Sequence, residues 1–189
     1  MSGIIFAICY NGRMKWLGIL VLIGILVGGF YYFSPMGGTA TTNTGGTKAT
    51  YESAEYGISF EYPDSYKIYR DQDGASPGEE TTRLKTLVIM DKVASENIPQ
   101  GGEGPTTMTI EIFPKGDATS TEAWVRSTRE SNFQLSTNGI VVPLEIGQIQ
   151  GISYSWDGLY RGSSIAFEHN GRIIVGSVTL LEPTDPIVL

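Results

Sequence analysis

Period-two alternation dominates the chain beyond residue 50. Ile58, Phe60 and Tyr62 alternate with Ser59 and Glu61; Met108, Ile110 and Ile112 alternate with Thr109 and Glu111; Ile152, Tyr154 and Trp156 alternate with Ser153 and Ser155. Ile174, Val178 and Leu180 share one face of a last strand, with Gly176 between them. Side chains of a strand point alternately to its two faces, so this pattern predicts strands with one face buried. Leu84–Met90, LKTLVIM, is more continuously apolar and reads as a central strand. Asn170-Gly171 separates two apolar runs, which is a hairpin signal, and Asp157-Gly158 marks another turn. One helix interrupts the strands. Thr119 followed by Glu122 has capping-box spacing and opens STEAWVRSTRES, with Ala123, Trp124 and Val125 as inward residues and Trp124 as a core anchor. Ala94–Pro105 reads as a loop on its Gly and Pro content. The order predicts an α+β fold: an antiparallel sheet with a flanking helix.

The N-terminal region obeys a different pattern. Trp16–Phe33, WLGILVLIGILVGGFYYF, runs without one charge. As a helix it would extend about 27 Å, close to the hydrocarbon thickness of a bilayer. Arg13 and Lys15 precede it, no positive charge follows until Lys48, and Phe30–Phe33 are aromatics suited to the interface. Positive flanks stay inside, so the expectation is a single-pass signal anchor with a cytoplasmic N-terminus and an extracytoplasmic body. A cleaved signal peptide is the alternative, with Gly38 and Ala40 as its cleavage candidate and a secreted domain as its product. Ser34–Thr50 is built from Gly, Thr and Ser with no apolar period, and reads as a flexible tether. The expected organisation is a cytoplasmic N-terminus over 1–15, a transmembrane helix over 16–33, a linker over 34–50 and one extracytoplasmic domain over 51–189.

Charge sharpens the picture. The chain holds 13 basic and 20 acidic residues, and its first 33 residues contain only Arg13 and Lys15. The remainder therefore carries 11 basic and 20 acidic residues, a net −9. Such a body is repelled by nucleic acid, and binding to it is rejected. The expected contacts are the bilayer, through 16–33, and an envelope protein. Cys9 is the only cysteine, so no disulfide forms within one chain.

Catalytic chemistry finds little to work with. His169 is the only histidine and falls at the predicted hairpin turn. With no second histidine and no cysteine in the outer domain, the usual zinc ligand sets cannot be assembled. Ser153 and Ser155 lack a G-x-S-x-G elbow and read as outward strand residues. The expectation is a protein without catalytic residues and without a cofactor. One cation candidate stands out: Asp71, Asp73 and Glu80 fall at the third, fifth and twelfth positions of a calcium loop, with Gly74 at the sixth. Tyr69 at the first position and Pro77 within the loop depart from that scheme. An acidic hairpin loop and a calcium-sensing site are both carried forward.

Tyr56-Gly57-Ile58-Ser59-Phe60-Glu61-Tyr62-Pro63-Asp64-Ser65-Tyr66 has the form Y-G-apolar-S-F-x-Y-P-x-x-aromatic. With Gly147, Gly151, Tyr154, Tyr160 and Ile165–Gly171 further on, this resembles domains of the PsbP-like α/β sandwich family, across about Tyr51 to Leu181. Those domains usually close with a helix after the last strand, where this sequence has EPTDPIVL. The family has no shared catalytic residues. The resemblance thus implies a binding or accessory module on a PsbP-like sandwich.

Overall fold

The computed structural model describes residues 5–7, 20–22, 47–75, 78–98, 107–146 and 149–180. By its contacts the chain divides into two compact units, Met1–Tyr66 with Ile146–Gln148, and Lys67–Glu145 with Ile149–Leu189.

The first unit holds a four-stranded sheet in the order β2-β1-β4-β3, built from β1 (Ile5–Ala7), β2 (Leu20–Leu22), β3 (Lys48–Ser53) and β4 (Ile58–Pro63). Strand β3 begins three residues inside the expected linker. Its residues pair antiparallel with β4 from Lys48↔Pro63 to Ser53↔Ile58, and Lys48 forms an ion pair with Glu61 across the pair at 3.0 Å. Tyr51 stacks on Phe60 at 5.1 Å between ring centroids, the cross-strand contact that holds this register. Within the expected membrane segment only Leu20–Leu22 is described, as a strand; a charge-free apolar run satisfies strand and helix patterns alike. The rest of 16–33, the cytoplasmic segment apart from β1, the linker up to residue 46 and the terminal EPTDPIVL lie outside the described residues. Among the described residues no helix is long and apolar enough to cross a membrane.

The second unit is built on a seven-stranded sheet, order β5-β6-β7-β11-β10-β9-β8. Its strands are β5 (Tyr66–Asp73), β6 (Lys85–Asp91), β7 (Met108–Pro114), β8 (Val142–Ile146), β9 (Ile149–Asp157), β10 (Arg161–His169) and β11 (Arg172–Leu180). The pairs β6–β7, β7–β11, β11–β10 and β10–β9 are all antiparallel. Asn170 and Gly171 adopt φ of 51° and 71°, the left-handed pair that a two-residue hairpin needs. They close β10 onto β11 as the sequence predicts.

Alternation sorts the side chains by face. Leu87, Ile89, Ile110, Ile112, Ile165, Phe167 and Ile174 occupy one face and are buried. The other face carries the helical layer. Phe113, Ile152, Tyr154, Ala166, Ile173 and Val175 meet Trp124 and Val125 there. Those two project from α2 (Thr121–Ser127); the shorter α1 (Lys92–Glu96) precedes it and buries nothing. Helix α2 starts one residue later than the capping-box spacing predicts. Ser120 is the N-cap, accepting from the Ala123 amide at 3.0 Å, and Glu122 instead pairs with Arg126 along the helix surface. Trp124 lies 5.0 Å from Phe113, ring to ring. Burying such a side chain contributes about 1.5–3 kcal/mol, so two inward residues anchor a helix of seven.

Candidate functional site

Helix α2 covers only part of its face. Towards β5 the same face is left open as a groove of about 620 Å³. Three adjacent strands supply its floor by alternation: Arg70 and Gln72 from β5, Thr86 and Val88 from β6, Thr109 and Glu111 from β7. The register sets Thr86 against Glu111 and Val88 against Thr109. Gly78, Glu79 and Arg83, from the segment joining β5 to β6, complete the lining.

Arg83 organises the charge. Its Nη1 donates to Glu111 Oε1 at 2.6 Å, and its Nη2 donates to Glu79 Oε1. Its Nε is buried and has no hydrogen-bond partner among the described residues. Glu111 and Arg83 are both mostly buried, whereas Glu79 is about two-fifths exposed. Burial raises the Glu111 pKa above the ordinary carboxylate value and outweighs the opposing hydrogen bond and charge of Arg83; Glu130 and Glu79 push it in the same upward direction as burial. Arg83 itself is held cationic by its two carboxylates against the cost of its own burial. Glu130 accepts from the Thr81 hydroxyl and, at 3.0 Å, from the Thr82 amide, which ties the β5–β6 connection to the turn after α2.

Beside the groove, the same face carries a buried polar strip. Ser164 and Ser177 share a hydrogen bond of 2.8 Å, and Trp156 Nε1 donates to Ser164 Oγ at 2.9 Å. Tyr154 donates its hydroxyl to the Ser131 carbonyl at 2.7 Å. Burial raises the Tyr154 pKa far above the ordinary phenol value, so it acts as a fixed donor. These groups satisfy one another and hold α2 and the following 3-10 turn (Phe133–Leu135) to the sheet.

The residues expected to carry a cation are placed apart from the groove. Asp71 and Asp73 are the last turns of alternation in β5, on the opposite face from Arg70 and Gln72, and both ion-pair with Lys85 Nζ, Asp73 at 2.7 Å. The expected loop is thus half strand, and its two aspartates are paired with the ammonium of a buried lysine. Glu80 is exposed in the β5–β6 connection. Among the described residues no three His, Cys, Asp or Glu side chains come together to hold a metal ion. His169 ends β10 at the hairpin, with its Nε2 3.0 Å from Asn170 Nδ2. Ser155 is exposed and shares a hydrogen bond with Ser163.

Sequence reasoning missed Arg83, Glu111, Glu79 and Arg70. The only local signal was the four-residue spacing of Glu79 and Arg83. Arg83 and Glu111 stand 28 positions apart and meet only through the β6–β7 register.

No family model matches the chain, and no curated protein matches it. Among solved structures it is similar to the solution structure of cyanobacterial PsbP (CyanoP) from Synechocystis sp. PCC 6803, at a TM-score of 0.46 and 10% identity. That likeness covers 77% of this chain and 86% of the other. It carries no argument about function.

Proposed function

We propose that this chain is a membrane-anchored, extracytoplasmic, non-catalytic binding or accessory module, and that its partner docks in the groove over β5, β6 and β7. The observation that carries this reading is the groove itself. It is an open concavity on a rigid sheet, lined by strand side chains that are already fixed by register, with charged and hydroxyl groups converging from three strands. Both of its carboxylates are paired with Arg83, and no hydroxyl or thiol nucleophile in it faces a histidine. Recognition fits such a lining better than turnover does. The charge-free run over 16–33, with Arg13 and Lys15 before it, supports placing this module outside the membrane. The motif around Tyr56–Tyr66 and the antiparallel sheet under one helical layer support a PsbP-like sandwich.

The test is site-specific photo-cross-linking in intact cells. A photoreactive phenylalanine replaces Val88 or Thr109, which line the groove, or Asp117, an exposed turn residue that does not. A discrete adduct from both groove positions and none from Asp117 is expected. The same adducts from all three positions, or none from any, would remove the groove as the docking face.

A further inference from the structure

The charge arrangement in the groove identifies the chemistry of what it holds; this inference rests on the groove being the docking face. Three observations combine. First, the Arg83 guanidinium is only partly used. Nε–H and Nη2–H point the same way within its plane and together form the fork that a carboxylate takes with both oxygens. Glu79 occupies Nη2 with one oxygen, and Nε is left buried without an acceptor among the described residues. Second, Glu79 is the outermost member of the cluster. Its carboxylate is more exposed than Arg83 or Glu111, and it belongs to a segment with neither helix nor strand. Third, Arg70 reaches the same groove from β5, exposed and with no ion-pair partner among the described residues.

We propose that the groove binds a carboxylate presented by an extended acidic segment of a partner polypeptide, taken by Nε and Nη2 of Arg83 in the place Glu79 holds, with Arg70 as the second cation. Glu79 is then a resident stand-in that the incoming carboxylate displaces. A phosphate group is disfavoured, because its near-double charge would sit beside Glu111 with Glu130 close behind. A polypeptide rather than a lone acid is favoured by the size of the groove. Three strands about 4.8 Å apart give a floor some 10 Å across, and Gln72, Thr86 and Thr109 line it with groups suited to a peptide backbone. The net charge of −9 beyond residue 33 repels an acidic segment at long range. That repulsion is screened beyond about 8 Å at physiological salt, so the contact pair decides.

The test uses the full chain in detergent, titrated with a blocked peptide containing one glutamate, with its glutamine counterpart and with sodium acetate. Binding is read by calorimetry and by the arginine Nε–H resonances in NMR spectra. The glutamate peptide is expected to shift the Arg83 Nε–H signal and to bind at least 10-fold more tightly than the glutamine peptide. Glu79→Gln should tighten binding several-fold by removing the resident competitor, and Arg70→Gln should weaken it about 10-fold. Both substitutions lie at exposed positions, and the fold is checked by circular dichroism. Equal binding of the two peptides, or a Glu79→Gln variant that binds no better, overturns the proposal. Acetate binding as tightly as the peptide overturns the polypeptide source. If the groove positions still cross-link in cells while both peptides bind alike, the docking face stands and the carboxylate assignment falls.

Discussion

Gly162 sits under the Trp156 ring, and replacing it by alanine should cost far more than one methyl group suggests. A Cβ built on Gly162 would lie 2.1, 2.4 and 2.5 Å from three ring atoms of Trp156. Ordinary carbon contacts are about 3.5–4.0 Å, so the indole must move by more than an ångström. The register sets Gly162 directly against Trp156, and backbone pairing on both sides of β10 leaves the strand little freedom to yield. Displaced, the indole gives up its hydrogen bond to Ser164, 2.9 Å, and its packing against the core under α2. The lost hydrogen bond costs about 1 kcal/mol and the overpacking about 1–3 kcal/mol, so Gly162→Ala should destabilise by about 2–4 kcal/mol. Urea unfolding monitored by circular dichroism measures it, and Trp156→Ala supplies the control. With the indole gone, Gly162→Ala should be neutral or slightly stabilising, because alanine loses less backbone entropy than glycine in a strand. A cost that is the same in both backgrounds would refute the steric argument, as would a single variant as stable as the parent chain.

Tyr154→Phe removes the donor to the Ser131 carbonyl in a buried site, and should cost about 1–3 kcal/mol in the same unfolding assay; a loss below a few tenths would mean that water reaches the carbonyl. Glu111 gives a pH signature. Its folded-state pKa is raised, so between the ordinary value, 4.5, and the folded value the native chain keeps a proton that the unfolded chain releases. Stability relative to Glu111→Gln should therefore fall as pH rises upward from 4.5 and then level off; a relative stability that rises with pH would mean that Arg83 outweighs burial.

The strands were legible because alternation is local. Ile58–Tyr62, Met108–Ile112, Ile152–Trp156 and the final run lie in strands, as does all of Leu84–Met90 but its first residue, and Asn170-Gly171 announced its hairpin through the backbone angles it tolerates. The helix was legible to within one residue, since Thr119 and Ser120 are both competent caps and only the packing of Trp124 on Phe113 sets the helical phase. The site was not legible. Alternation puts Glu111 on the face away from Ile110 and Ile112, which reads as solvent. The sheet has a helix on that face, so Glu111 stands at the margin of a covered region, and its partner comes from the β5–β6 connection. The ion pairs of Asp71 and Asp73 were hidden for a related reason. Spacing reveals that two carboxylates share a strand face, and only the fold reveals Lys85 between them.

Cysteine labelling in intact cells tests most directly whether an outward-facing module hangs from a membrane anchor. Cys9 is native and lies before the charge-free run, and Asp117→Cys adds one thiol on an exposed turn of the sheet unit. A membrane-impermeant maleimide added outside should label position 117 at once and Cys9 only after lysis. Position 117 protected until lysis, or Cys9 labelled from outside, would contradict the account.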